Sequence, residues 1–410
     1  MNRTIHVNPP QTSGDHAATL DTQFGVYVHF PYCAKKCPYC DFASFTTQPA
    51  DIPHEAYRRA VVAELELRLA ARAAWPRVTS VFFGGGTPSL WDPRELGAVI
   101  AALRARLDFS PDVEITAECN PSSLDRAKAT ALLEVGVNRL SVGVQSLDAE
   151  RLAFLGRFHD VEGGLTAVRA AREAGVQRLS CDLIFAVAGG RPQAATDAQR
   201  EVVALAEFGL THLSAYGLTI EPGTRFGELA RKSRLPIAPE EVFADSFLAI
   251  DEALTARGFS HYEVSNYAFP GEEARHNLAT WRGHDYLGLG SSAVGTLTDA
   301  ATGVARRTKN HPNPATYMRA CTEGRLEHVD AEDLDPETRL REALMLGLRL
   351  EAGLDLEELA RRLALRVLTP ERERALSKLQ RRGRLAQVGS RIHVPRAARA
   401  FSDGIAAELF

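Results

Sequence analysis

No apolar run in this 410-residue chain approaches the roughly 18–20 residues that cross a bilayer, so an integral membrane protein is not expected. Excess positive charge is also missing. The 48 Lys and Arg against 52 Asp and Glu leave a net charge of −4, which removes the basic footprint of a nucleic-acid binder. Arginines near the C-terminus, such as Arg361 and Arg362, interleave with Glu357 and Glu358 and read as solvated helix faces. The opening residues have neither an apolar core nor an Arg-rich amphipathic pattern. Residues 1–23 are therefore expected to be a disordered lead-in without a targeting role, and the compartment to be the cytoplasm. Cysteine is scarce, with six in all, and in a reducing compartment these make no disulfide framework. Three of them nevertheless fall within eight residues, at Cys33, Cys37 and Cys40. Cys119, Cys181 and Cys321 are scattered and read as small buried hydrophobes.

What is present is a regular alternation of β-rich runs and amphipathic helical stretches. The runs are Gly25–Phe30, Ser80–Phe83, Val113–Glu118, Arg139–Val144, Arg178–Phe185 and His212–Leu218. Helical patterns lie between them, and Gly136 and Gly175 sit where a helix must stop before the next strand. Strands alternating with helices predict an α/β fold with a parallel sheet. Six such units are too few for an eight-unit barrel, so a partial parallel (β/α)6 barrel is expected over residues 24–257. Residues 258–335 read as an extension, and residues 336–410 as a mainly helical, winged-helix-like module.

The chemistry concentrates at predicted strand ends. Cys33, Cys37 and Cys40 follow the first strand in the stretch YVHFPYCAKKCPYCDF. In α/β barrels the sites gather at that end of the strands. Three thiolates can hold three irons of a cubane and leave the fourth iron a free coordination position, whereas ordinary clusters use four cysteines. A zinc site completed by a distant fourth ligand is the alternative. Gly84-Gly85-Gly86-Thr87-Pro88 follows the second strand, where glycines let backbone approach a ligand closely. Later strand ends present Glu118, Gln145, Asp182 and Tyr216, polar groups of the kind a barrel mouth requires.

The cysteine loop resembles that of the radical S-adenosylmethionine (SAM) superfamily. YVHFPYCAKKCPYCDF, FFGGGTPS, ECNP, NRLSVGVQS, LGRFH, LSAYGLTIEPGT and RHNLATWRGHDYLGLG together resemble, more narrowly, the HemN/HemW family. That family comprises oxygen-independent coproporphyrinogen dehydrogenases and haem chaperones. The resemblance implies a [4Fe–4S] cluster on Cys33, Cys37 and Cys40, with SAM lined by Tyr27, Tyr39, Gly85, Gly86, Thr87, Glu118, Gln145, Arg157 and Asp182. The dehydrogenases carry a further cysteine two residues after the third, where this chain has Phe42. That favours the chaperone branch, with haem as cargo, a recipient haemoprotein and an electron donor as partners. The dehydrogenase activity on coproporphyrinogen III is the alternative. His276, Asn277 and Trp281 resemble the HNxxYW motif linked to haem, with Thr280 in the tyrosine's place. Val294 stands where relatives carry a histidine, and CDLIFAVAGG departs from their DLIYGLPG turn.

Overall fold

Six parallel strands, β1 (Phe24–Phe30), β2 (Val78–Gly85), β3 (Phe109–Cys119), β4 (Arg139–Gln145), β5 (Arg178–Phe185) and β6 (His212–Gly217), lie side by side in chain order. They coincide with the six expected runs to within a few residues. The computed structural model describes residues 23–410, so the lead-in expected at 1–23 falls, Gln23 apart, outside the described residues. Period-two alternation sorts each strand into two faces. On β1, Val26, Val28 and Phe30 are fully buried, and the Phe30 ring meets Tyr57 of the following helix, His54–Ala70. Tyr27 takes the other face, against His29 and His276. That inner face is unusually polar further round the sheet, where Ser141 donates to Asp182 across β4 and β5. Gly136 and Gly175 end their helices with φ of +102° and +93°, a conformation a β-carbon would strain.

Residues 258–335 are not a separate body. Ser260–Glu263 and Asn266–Ala268 add antiparallel strands beyond β6, and Tyr286–Leu289 pairs parallel with β1. Val294–Thr298, Ala305–Asn310 and His328–Leu334 continue that second edge, giving a twelve-stranded open sheet. The expected six-unit parallel barrel is thus extended at both edges by these strands. The last seventy or so residues form the expected module. Helices Pro336–Gly347, Leu356–Leu363 and Pro370–Arg381 pack with a small sheet around Leu340, Leu344, Leu379 and Ile392. Among the described residues, no helix is long and apolar enough to cross a membrane.

A buried carboxylate locks the sheet edge next to β1. Glu64 on the first helix is fully buried and accepts from Arg68, Asn310, Tyr317 and the Gly290 amide. Removing it leaves the buried Arg68 guanidinium without a carboxylate, and the Gly290 amide and Tyr317 hydroxyl without their acceptor. Glu64→Ala is expected to cost about 3–5 kcal/mol, read as a lower denaturant midpoint, because a buried pair has been broken. A midpoint within error of the parent would show that water replaces the carboxylate.

Candidate functional site at the barrel mouth

The cysteine loop leaves β1 at Phe30 and is tied to the strand beneath it. The Tyr27 hydroxyl donates to His29 Nδ1 at 2.9 Å, and His29 Nε2–H donates to the Ala43 carbonyl at 2.8 Å. Burial pushes His29 down to about 4, so this ring stays neutral and can accept and donate at once. Sequence reasoning missed His29. Its only signal is its place between Tyr27 and the cysteines on the inward face of β1. Tyr27 itself lies under the mouth rather than in its lining.

Above this pair opens a cavity of about 400 Å3. It brings together Cys33, Cys37, Cys40 and Tyr39 from the loop, and Gly85, Gly86 and Thr87 from the end of β2. Glu118, Gln145, Arg157 and Asp182 complete the expected set from three further strands or their loops. The size suits a small-molecule site. Gly85 has φ +106°, and a β-carbon there would sit 2.4 Å from the His29 ring. Thr87 Oγ1 lies 3.3 Å from Cys33 Sγ, and Arg157 donates to Cys37 Sγ at 3.6 Å and to the Gly143 carbonyl at 2.8 Å. Arg157 is thus no surface arginine. Its Nε is buried without a partner, an orphan donor aimed among the site residues. Gln145 takes φ +70°, which an L residue adopts only under local constraint. Ala186, just past the end of β5, likewise sits at φ +58°.

Burial governs the electrostatics. It raises Glu118 to about 8, helped by the neighbouring Asp182 carboxylate, against a lowering hydrogen bond from the Gly85 amide. Asp182 is also raised by burial, opposed by Ser214 and Ser141. Burial pushes Cys40 to about 11 and raises Cys33 as well. Without a metal these thiols are neutral, and a metal cluster would displace their protons. Burial opposes the Arg157 charge, but Tyr39 and Cys37 hold its pKa above the usual value.

The donor set fits a cubane. Three cysteines of one loop line a roomy cavity, the thiolate set that a cubane with one open position takes. Cys33, Cys37 and Cys40 would hold such a cluster, which together with SAM would supply one-electron radical chemistry there. The protein's share is orientation and exclusion of water. Sequence reasoning also left out Ser141, Thr219 and Glu221, which line the same cavity. Tyr216, noted only as a strand-end residue, lines it too.

The HNxxYW-like residues are not brought here. They lie on a helix, Arg275–Trp281, whose first amides are capped by Glu114 at 2.9 and 3.4 Å. Glu114 is four residues before Glu118 on β3, about 13 Å down the strand at its usual rise, so the helix closes the opposite end of the barrel. His276 is 7% exposed, with Nδ1 3.1 Å from Ser80 Oγ and its ring stacked on Phe82. The Trp281 ring lies under the Arg349 guanidinium at 4.9 Å, and Asn277 is half-buried. The expected haem trio, His276, Asn277 and Trp281, thus lies apart from the cysteine-lined cavity.

Comparison with known proteins agrees with the geometry. Residues 27–198 match the radical SAM superfamily, and residues 334–401 match the HemN C-terminal domain. The chain is 34% identical over 388 residues to heme chaperone HemW of Mycobacterium tuberculosis (strain H37Rv), covering 94% of each. It is 36% identical over 295 residues to heme chaperone HemW of Escherichia coli K12, covering 72% of this chain and 75% of that one. A zebrafish (Danio rerio) relative, the mitochondrial radical S-adenosyl methionine domain-containing protein 1, is 34% identical over 347 residues, 83% of this chain and 76% of its own. The solved structure of E. coli coproporphyrinogen III oxidase (HemN), a radical SAM enzyme, shares the fold. Its TM-score is 0.76 at 22% identity, over 95% of this chain and 90% of that one. With a relative above 30% identity aligned along nearly its whole length, this chain belongs to the HemW family of the radical SAM superfamily.

Proposed function

We propose that this protein is a haem chaperone, which carries haem to recipient haemoproteins and holds a [4Fe–4S] cluster and SAM at its barrel mouth. The observation that carries this reading is the end-to-end similarity to HemW relatives named heme chaperones. Cys33, Cys37 and Cys40 would hold the cluster. Gly85, Gly86 and Thr87, with Glu118, Gln145, Arg157 and Asp182, would line SAM, and Tyr27 and Tyr39 would support it from below and beside. Phe42 adds a second support. It stands where the dehydrogenases have a fourth cysteine, and its side chain is 59% exposed.

The test is anaerobic reconstitution with iron and sulfide, then haem titration and SAM addition on the same sample. The expected outcome is saturable, stoichiometric haem binding without conversion of coproporphyrinogen III in the presence of SAM and a reductant. Conversion of coproporphyrinogen to protoporphyrinogen, without saturable haem binding, would replace this reading by the dehydrogenase.

A further inference from the structure

The cysteine loop has a second side. Behind it, between the loop, the short helix Ala149–Phe154 and the segment from Gly223 to Pro236, lies another cavity of about 710 Å3. Its walls share Lys35, Lys36, Cys37 and Cys40 with the SAM-side cavity, so the loop is a partition between the two. The floor is apolar, made by Phe154, Phe226, Leu229 and Leu235. The Phe154 and Phe226 rings lie 4.8 Å apart and are tilted by 36° to one another, a compact aromatic patch in that floor. Four cations line it, Lys35, Lys36, Arg225 and Arg234, and no carboxylate does.

The charge pattern is unusual for this molecule. Across most of the fold, arginines are paired with acids, often several at a time, as Arg151 is with Asp148, Asp197 and Glu201. The four cavity cations have no ion-pair partner among the described residues. Lys36 donates only to the Phe42 carbonyl, and the Lys35 ammonium rests on the Phe158 ring at 4.9 Å. Four unneutralised cations grouped around an apolar floor repel one another, a cost that an anionic ligand offsets. A ligand that suits this lining is largely apolar and carries anionic groups at its margin.

Resting on the chaperone reading above, we infer that this cavity is the cargo site and takes a propionate-bearing tetrapyrrole, its ring on Phe154 and Phe226 and its carboxylates among Lys35, Lys36, Arg225 and Arg234. No histidine or methionine lines the cavity, and its two thiols, Cys37 and Cys40, are those assigned to the cluster, so no lining residue is left free to ligate the iron in the manner of a haem enzyme. The tetrapyrrole is held by ring burial and charge alone. That suits a carrier that must let go, and it makes iron dispensable for binding. Because Cys37 and Cys40 line the same cavity, cargo and cluster share a wall.

The test uses cluster-reconstituted full-length protein and three probes: haemin, metal-free protoporphyrin IX and protoporphyrin IX dimethyl ester. Haemin and protoporphyrin should bind with similar affinity, and the ester, lacking both charges, should bind about tenfold more weakly. Arg225→Glu/Arg234→Glu lies outside the cluster loop. It should weaken haemin binding roughly tenfold, with iron and sulfide content unchanged. Lys35→Glu/Lys36→Glu should do the same, provided its cluster content matches the parent. Unchanged haemin affinity in both variants would overturn the site while leaving the chaperone reading intact. So would equal binding of the ester, or loss of haemin from a folded His276→Ala alone. Unchanged haemin affinity together with slower cluster reduction by an acidic donor protein would assign these cations to the donor instead. Wild-type protein that binds no haemin would sink both readings.

Discussion

Protein with Cys37 replaced by alanine will emerge from anaerobic reconstitution without a stable cluster, and Cys33→Ala and Cys40→Ala will behave alike. The three thiols come from a single loop, so loss of any one leaves two ligands for a cluster already one short of the ordinary four. A rescue from elsewhere is closed off by placement. Cys119 borders the same cavity, but it is buried within β3 with its thiol directed to the Ala117 carbonyl at 3.7 Å. Cys181 and Cys321 are buried in other elements. Alanine at Cys119, Cys181 or Cys321 should leave iron and sulfide content near the parent's. Far-ultraviolet circular dichroism should be unchanged in the loop variants, because the barrel core does not include Cys37 or Cys40. A Cys37→Ala protein that retains full iron and sulfide would refute the assignment of the loop.

The second large effect concerns Glu118 and pH. SAM carries an ammonium and a sulfonium, so its binding favours the ionised carboxylate, whereas in the free protein burial and Asp182 hold Glu118 protonated up to about 8. Apparent SAM affinity should therefore fall roughly tenfold for each pH unit below that value and level off above it. In Glu118→Gln the profile should flatten and the affinity stay low throughout. Asp182 is raised too and lies close by, so the two carboxylates titrate as a pair and the profile will be broader than that of one group. Stability of the SAM-free protein runs the other way. The folded state keeps the Glu118 proton to about 8, while the unfolded chain releases it near the ordinary value of 4.5. This contribution is fully present below that ordinary value and is lost as pH rises across the window. Affinity for SAM that does not change between about pH 6.5 and about pH 8.5 would show that Glu118 plays no part in holding it.

Much of this was legible from residues because the barrel imposes a simple grammar. Buried parallel strands must be apolar on the helix side, and whatever they carry at their C-terminal ends faces the mouth. Glu118, Asp182 and Gln145 could be picked out for that reason alone. The antiparallel edge was not legible. Ala305–Asn310 and His328–Leu334 carry cross-strand ion pairs such as Arg307 with Glu332 rather than apolar alternation, and no strand was expected there. His276 carried a motif, but a motif does not say whether its helix turns to a ligand or to the inside of the barrel. The cations behind the cysteine loop were invisible for a different reason. Lys35 and Lys36 are nearly two hundred residues from Arg225 and Arg234, and each alone is an ordinary surface charge.

The helix that closes the base of the barrel has a mechanical consequence. Glu114 receives its first amides while also meeting Arg139 and Arg178, so one carboxylate rivets the stopper to three neighbouring strands. At its other end Trp281 is clasped by Arg349, just past the first helix of the C-terminal module, and the Arg349 carbonyl in turn receives the Val264 amide. The small module thus acts as the hand on the cork. Whatever grips or tilts it from outside pulls on the underside of the vessel whose rim carries the cysteines.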